Sequence, residues 1–328
     1  MRVMFGGDVM LGRIVKEYIL LYGPQYPLGP VAQLMRNADL AIVNLECAIS
    51  GSERIWPGAP KAYYFGAPPQ AIFALTDAGV DLVSLANNHV LDYGGEGLTA
   101  TLRSLRRHGI AQAGAGENLS QAWMPAVVER AGMRFGMAAF CDHQEDFAAS
   151  RDTPGMAYLD LDDETATLAA WRIALQSLQR ERVDWPILSL HWGPNMVLRP
   201  SARFRRLAHA AIDMGWKILF GHSAHVFQGI ELYRGYPILY AAGDLVDDYS
   251  VDPEFANDHQ LLIELELGRS ALQRILVHPV FIENCQVRPA TGERYARVRD
   301  TMSALCREMG TILRKDSGQR LYIEAEGK

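Results

Sequence analysis

Five short polar motifs, each directly after a short apolar run, hold most of the residues in this chain that could do chemistry. They are Gly-Gly-Asp at 6–8, Asn-Leu-Glu at 44–46, Asn-Asn-His at 87–89, His-Trp-Gly at 191–193 and Gly-His-Ser-Ala-His at 221–225. In an open α/β sheet, ligands bind outside the carboxyl ends of the strands, so these motifs would meet at one edge. Carboxylate, amide and imidazole groups gathered there suit Zn, Mn, Fe or Ni. The pattern predicts a metal-dependent enzyme.

The elements that would position these motifs alternate between strand and helix in the first half of the chain. Leucines at 98, 102 and 105, for example, have helical spacing and predict a helix over 95–108. Such alternation is typical of a largely parallel, buried sheet. The second half adds two predicted hairpins, and the chain contains no repeat or linker. We therefore predict one domain over 1–328, with two sheets facing each other between helices and a C-terminal helix at about 293–314.

Bulk composition limits the function classes. Hydrophobic residues make up 49% of the chain, and the formal net charge is −6, which argues against non-specific nucleic-acid binding. Four cysteines without a CxxC pair predict reduced thiols. No signal-peptide pattern and no stretch of 18 apolar residues is present, so we expect a cytoplasmic protein that does not insert into membranes. A homo-oligomer remains open.

Each motif has a plain structural interpretation as well as a functional one. Asp8 could be an N-cap for the helix that begins near Leu11, and a lone histidine such as His191 is often a core residue. The joint occurrence of all five motifs in this order favours the metal interpretation. Asp92, three residues after His89, could accept its ring N–H and fix its tautomer.

Two further segments could contribute to a site. Residues 50–69 are rich in glycine and proline, which predicts a long loop over the site. The acidic segment 243–249 follows a predicted strand and could order substrate amines or support a metal from outside its ligand shell. A solvated turn is an equally good interpretation of that segment.

Longer stretches around the five motifs resemble the CapA family of capsule-synthesis proteins. The resemblance rests on Gly-Asp-Val-Met-Leu-Gly-Arg at 7–13, Asn-Leu-Glu at 44–46, the segment 86–94, His-Trp-Gly at 191–193 and the segment 221–231, within roughly 1–285. That family is linked to poly-γ-glutamate and to the calcineurin-like metallophosphoesterase superfamily. The resemblance implies an α/β fold of the four-layer αββα type, with a dinuclear metal centre at the strand ends.

Matched to the family's motifs, individual residues acquire expected roles. The resemblance implies metal ligation by Asp8, Glu46, Asn88, His191, His222 and His225, with one carboxylate bridging two ions, and a catalytic role for His89 oriented by Asp92. Two positions depart from the phosphoesterase pattern: Met10 replaces a ligand histidine, and Glu46 replaces a bridging aspartate. These departures weigh against phosphate-ester hydrolysis more than against metal binding.

The resemblance and the residues leave three functions open. The first is a metal-dependent hydrolase of a peptide or γ-glutamyl-type substrate, with two divalent ions (Mn, Zn, Fe or Ni) polarising a carbonyl or phosphoryl oxygen and His89 with Asp92 as acid/base. The second is a metal-dependent peptide epimerase that needs no organic cofactor, an activity found among CapA-like proteins of peptide natural-product pathways. The third is a non-catalytic subunit of poly-γ-glutamate synthesis or export.

Overall fold

The computed structural model describes residues 1–325. In chain order its strands are β1 Arg2–Val9, β2 Leu40–Leu45, β3 Ala48–Ile49, β4 Gly66–Ala67, β5 Leu82–Ser84, β6 Ala111–Ala113, β7 Ala115–Gly116, β8 Ala126–Arg130, β9 Met133–Cys141, β10 Gly155–Met156, β11 Trp185–His191, β12 Ile218–His222, β13 Ile230–Tyr233, β14 Tyr236–Leu239, β15 Asp244–Val246, β16 His259–Leu267, β17 Leu272–Glu283, β18 Gln286–Pro289, β19 Arg314–Lys315 and β20 Leu321–Glu324. The α-helices are α1 Arg13–Tyr22, α2 Val31–Arg36, α3 Ile72–Asp77, α4 Gly94–Arg107, α5 Leu119–Ala122, α6 Glu164–Arg180, α7 Ala202–Met214 and α8 Gly292–Glu308. Two 3₁₀ helices occupy Pro69–Ala71 and Glu145–Phe147.

Two large sheets organise these elements. The first sheet has the order β19-β20-β17-β16-β1-β2-β5-β6, with β15 beside β1 and β18 beside β17. Its strands β1, β2, β5 and β6 are parallel, as expected for the alternating first half of the chain, and β16 to β20 extend it in antiparallel fashion. The second sheet has the order β13-β14-β12-β11-β9-β8, and β9, β11, β12 and β14 are parallel.

The sheets pack face to face through an apolar core. Phe5 of β1 and Phe220 of β12 meet across this interface, with ring centroids 5.1 Å apart. Helices α6 and α7 cover the outer face of the second sheet, where Trp171 and Trp216 are fully buried. Helix α4 packs against β6 on the first sheet. The four-layer αββα arrangement predicted from the resemblance is confirmed.

The C-terminal helix is shorter than the predicted 293–314. Helix α8 ends at Glu308, and Gly310 then takes a left-handed conformation with φ +77°. The amide of Thr311 donates to the carbonyl of Cys306 at 2.9 Å, which closes the last turn. The chain continues as β19 and β20, and β20 pairs antiparallel with β17. The predicted helix was too long because the amphipathic pattern of residues continues past Glu308 into the turn that follows the helix.

Of the loop predicted over 50–69, residues 50–65 are irregular and lie over the strand ends, whereas Gly66–Ala67 form β4 and a 3₁₀ helix begins at Pro69. Trp56 donates its amide to the carbonyl of Asp92 at 2.9 Å, and Phe65 donates its amide to the Asp92 carboxylate at 2.7 Å. All four cysteines are buried free thiols. Within residues 1–325, none of the helices has the length and apolar character needed to cross a bilayer.

Candidate metal centre

Strand register brings the acidic and imidazole groups to one edge of the two sheets. On the first sheet, Asp8 of β1 pairs with Asn44 of β2 on one side and with Asp244 of β15 on the other. On the second sheet, His191 ends β11 and pairs with His222 at the end of β12. Because β2 and β15 are parallel to β1, and β12 is parallel to β11, the polar ends within each sheet lie at the same edge.

Two glycines allow the backbone to approach closely at this edge. A Cβ atom on Gly7 would lie 1.8 Å from the carbonyl oxygen of Gly243, and one on Gly221 would lie 2.0 Å from that of Tyr240. The close approach lets the amide of Asp8 donate to the carbonyl of Gly243 at 2.9 Å. Any larger residue at position 7 would therefore separate the strands that carry Asp8 and Asp244.

Potential ligand atoms form two groups that share one residue. Within each group, the ligand atoms all lie within 4.8 Å of one another. The first group comprises Asp8, His191 and His222, and the second comprises Asp8, Glu46, His225 and Asp244. Asn88 adds an amide to the first group, since its Oδ1 lies 3.0 Å from His191 Nε2. Asp8 thus stands where a carboxylate bridging two ions would stand.

A chain of amides orients Asp8. Asn87 donates its Nδ2–H to Asn44 Oδ1 at 3.1 Å, and Asn44 in turn donates to Asp8 Oδ1 at 2.7 Å. The other Asp8 oxygen accepts the backbone N–H of Ser223 at 3.1 Å. Ser223 has φ +99°, an unusual value for a non-glycine residue, which marks a constrained backbone at this edge. The carboxylate is therefore held by both sheets.

Three carboxyl groups are buried close together at the site. Asp8, Glu46 and Asp244 are each exposed by 1% or less. Neither oxygen of Glu46 has a hydrogen-bond partner among the described residues. Burial raises the pKa of Asp8 to about 7 and that of Asp244 to about 8, and it holds the pKa of Glu46 well above its usual range. Buried acids of this kind need a cation or a proton, and the donor set fits divalent metal ions.

The histidines are held in the neutral form that binds metal. Burial lowers the pKa of His222 to about 3, holds that of His191 well below its usual range and lowers that of His225. The Nε2 atom of His222 lies 2.9 Å from Ser189 Oγ. The other ring nitrogen, Nδ1, faces the carboxylate of Asp8. A hydrogen bond to the far nitrogen is the usual support for a ligating imidazole.

Beside the candidate metal ligands lies a histidine–aspartate pair. His89 Nδ1 is 2.6 Å from Asp92 Oδ2, and the ring stacks on Phe65 with centroids 3.6 Å apart. Lys61 from the loop lies 2.6 Å from the other oxygen of Asp92 and also donates to the carbonyl of Asn88. Burial lowers the pKa of His89 to about 4. The ring is therefore a neutral base with its tautomer fixed by Asp92.

Sequence reasoning missed Asp244 and Lys61. The sequence allowed the segment 243–249 to be a substrate contact, an outer support or a solvated turn, but Asp244 is fully buried among the ligands. Its signal was a Gly-Asp pair after a strand, the same pattern as Gly7-Asp8. Nothing local marked Lys61. Met10, where the family pattern usually has a ligand, is buried and its Sδ accepts the amide of Gly12 at 3.1 Å.

A cleft of about 500 Å³ opens onto the centre. It includes Asn88, His89 and His225 from the site itself. Its remaining walls are Arg13, Tyr63, Phe65, Asn195, Met196, Tyr249, Ser250, Val251, Asp252, Pro253 and Asn257. The cleft therefore combines amide and aromatic groups beside the buried acids.

The order of layers and the position of the site at the strand ends are those of the four-layer αββα fold that the resemblance predicted. Residues 2–249 match the family described as "Bacterial capsule synthesis protein PGA_cap". The chain belongs to that family, and the predicted resemblance is confirmed.

Relatives of the chain carry names from the same area of biology. A Mycobacterium tuberculosis protein named "Probable polyglutamine synthesis accessory protein" is 34% identical over 286 residues, with 75% of this chain and 74% of that protein covered. The "Capsule biosynthesis protein CapA" of Bacillus anthracis is 29% identical, with 87% of this chain and 68% of that protein covered. The "PGA biosynthesis protein CapA" of Bacillus subtilis is 28% identical, with 87% and 72% covered.

Solved structures with some likeness include two from Thermus thermophilus. A hypothetical protein matches with a TM-score of 0.46 and 18% identity, covering 88% of this chain and 98% of that one. A 5'-nucleotidase precursor matches with a TM-score of 0.46 and 12% identity, covering 94% of this chain and 59% of that one. No conclusion about substrate follows from structural likeness of this degree.

Proposed function

We propose that this chain is a metal-dependent enzyme that acts on a peptide or γ-glutamyl-type substrate. The observation that carries the proposal is the burial of Glu46 with both oxygens unpaired, next to Asp8 and Asp244. An apo fold gains nothing from such a cluster, because buried like charges raise its free energy. A site that binds cations explains why these side chains are gathered.

Two divalent ions, of Mn, Zn, Fe or Ni, fit the donor types. Asp8 would be shared, with Asn88, His191 and His222 holding one ion and Glu46, His225 and Asp244 holding the other. When bound, such ions polarise a carbonyl or phosphoryl oxygen and lower the pKa of water. Position 10, where the phosphoesterase pattern has a ligand histidine, is methionine in this chain. Asp244 would add a carboxylate ligand to the site.

His89 supplies the base. Since Asp92 accepts the Nδ1–H, the lone pair of Nε2 is free to accept a proton, and stacking on Phe65 fixes the plane of the ring. A proton taken from water that attacks the carbonyl gives hydrolysis, and a proton taken from the substrate Cα, followed by return of a proton from solvent to the opposite face, gives epimerisation. The lowered pKa of His89 keeps the ring unprotonated at neutral pH, so Nε2 carries the lone pair that a base needs.

The cleft supports a peptide-like substrate. The exposed amide side chain of Asn195 can exchange hydrogen bonds with peptide groups, while Tyr63 and Tyr249 offer aromatic surfaces. The names of the relatives, which refer to polyglutamine, capsule and PGA synthesis, support a glutamyl polymer as the first substrate to test.

A non-catalytic role in polymer synthesis is the second candidate. It is favoured by one relative's name, which calls that protein an accessory protein. Under this alternative the metal ligands could be removed without loss of cellular function, whereas the enzyme proposal requires them.

Elemental analysis of the purified protein tests the proposal first. We expect close to two transition-metal ions per chain, reduced in His222→Ala and His191→Ala and retained in Asp152→Asn, a change at an exposed aspartate away from the site. Incubation of the loaded protein with γ-linked glutamate oligomers in deuterated water then separates the reactions by mass spectrometry. Shorter products indicate hydrolysis, and deuterium at Cα without shortening indicates epimerisation. Absence of metal in a folded wild-type protein would leave the accessory role.

A further inference from the structure

Arg13 is held beside the cleft in a strained conformation. Its backbone has φ +50°, in the left-handed region that non-glycine residues rarely adopt. The guanidinium carbon lies 4.6 Å from the ring centroid of Tyr63 and 5.9 Å from that of Phe65. A strained backbone persists only where the surrounding structure holds it, and such residues are frequent at functional sites. The two aromatic rings limit where the guanidinium can move.

One edge of the guanidinium is engaged by protein and the rest is free. Nε of Arg13 lies 3.4 Å from Oδ1 of Asp248, whose side chain is 1% exposed and whose Oδ2 accepts the amide of Ile14 at 2.7 Å. Among residues 1–325, no oxygen accepts a hydrogen bond from the two terminal nitrogens of Arg13. Asp248 therefore orients the group while leaving its outer fork available to a ligand.

No other permanent cation competes for a ligand in the cleft. Within the described part of the chain, Arg13 is the only lysine or arginine among the residues that line it. The nearby Lys61 is already bonded to Asp92 and to the carbonyl of Asn88. The Phe65 ring lies next to the Arg13 guanidinium and also stacks on His89, so the guanidinium lies close to the proposed base.

We propose that Arg13 binds a carboxylate of the substrate and thereby selects acidic chains over neutral ones. This inference rests on the proposed function, since it specifies the substrate of the same site. A planar fork of N–H donors matches a carboxylate in two-point geometry, and the aromatic and amide walls add contacts to the peptide backbone. The carboxylate could be a chain terminus or a free α-carboxylate within a γ-linked glutamate chain.

Calorimetric titration of metal-loaded protein with three probes separates these sources. The probes are γ-linked triglutamate with all carboxylates free, the same peptide with only its terminal carboxylates amidated, and the same peptide with only its internal carboxylates amidated. Arg13→Gln should weaken binding of the fully acidic probe about 10- to 100-fold. The same substitution should not change the binding of the probe in which the carboxylate that Arg13 binds is amidated. The probe that is insensitive to the substitution therefore identifies that carboxylate.

Arg13→Lys keeps the charge without the fork and should weaken binding by an intermediate factor, which preserves the test if the glutamine variant does not fold. Arg103→Gln, at an exposed arginine on α4 outside the cleft, is the matched control and should bind like wild type. Equal loss for all three probes, or no loss, would mean that Arg13 only compensates Asp248 and would overturn the inference. If wild type with its full metal content bound no probe, the peptide substrate and this inference would both be rejected.

Discussion

Asp8 and Asp244 are direct partners across the parallel strands β1 and β15, and both carboxylates are buried in the same ligand group. Their chain positions are more than two hundred residues apart, yet the carbonyl of Gly243 accepts the amide of Asp8 at 2.9 Å. Each acid raises the electrostatic cost of ionising the other. The metal-free fold therefore stores a repulsion that a bound cation would relieve.

Replacing Asp244 should separate the two proposed ion positions. We expect Asp244→Asn to lower the metal content by about one ion per chain, because its group loses a charged ligand while Asp8, His191 and His222 are untouched. Elemental analysis after dialysis measures this, with Asp152→Asn as the control. An unchanged metal content in the Asp244 variant would remove it from the ligand set.

The stability of metal-free protein should fall as pH rises from 6.5 to 8. In this range the folded pKa values of Asp8 (about 7) and Asp244 (about 8) lie far above the unfolded value of 3.8, so the folded state holds more protons than the unfolded state. The free energy of unfolding then decreases with pH, by at most roughly 1.4 kcal/mol per pH unit for each group.

The buried histidines act in the opposite direction, and their effect fades as pH rises above 6.5. Burial lowers the pKa of His89 to about 4 and that of His222 to about 3, so most of their cost to stability falls at and below the unfolded pKa of 6.5, where the unfolded chain binds protons. Thermal unfolding of chelator-treated protein at several pH values measures the effect, and metal-loaded protein should lose it. Rising stability of the metal-free protein between pH 6.5 and 8 would contradict the raised carboxyl pKa values.

Lys61 and Asp92 should be strongly coupled in stability. Asp92→Asn leaves a lysine of which 10% of the side chain is exposed without its partner and should cost about 3–5 kcal/mol. Lys61→Met should cost less, and the double variant should be more stable than the sum of the single effects predicts. Denaturant unfolding of the four proteins gives the coupling energy. Additive effects would show that the short Lys61–Asp92 contact contributes little.

Gly7 should not tolerate a side chain. A Cβ on Gly7 would lie 1.8 Å from the backbone oxygen of Gly243, so Gly7→Ala should reduce the melting temperature by several degrees or prevent folding. Gly51→Ala is the control, since its nearest atom would be 3.8 Å away and its backbone is not left-handed. Equal melting temperatures for the two variants would mean that β1 and β15 can separate at little cost.

Much of the architecture could be predicted because its signals are local. The apolar runs that become β1, β2, β5, β11 and β12 each end in polar residues, and the helical spacing of α4 is explicit. The end of α8 was predicted wrongly because Gly310 stops the helix while polar and apolar residues continue beyond it. A short strand such as β15, with three residues, has too little periodicity to be recognised.

The sequence by itself determined which candidate ligand types this protein carries and that they follow strands, since the apolar runs and the polar residues after them are both local patterns. Only the tertiary structure decided how these candidate ligands group around Asp8, that Asp244 joins them, that Lys61 contacts Asp92, and that Arg13 borders the cleft. Those relationships depend on the pairing of β15 with β1 and on the path of loop 50–65. Both are set by contacts between residues distant in the chain, which no local pattern of residue types encodes.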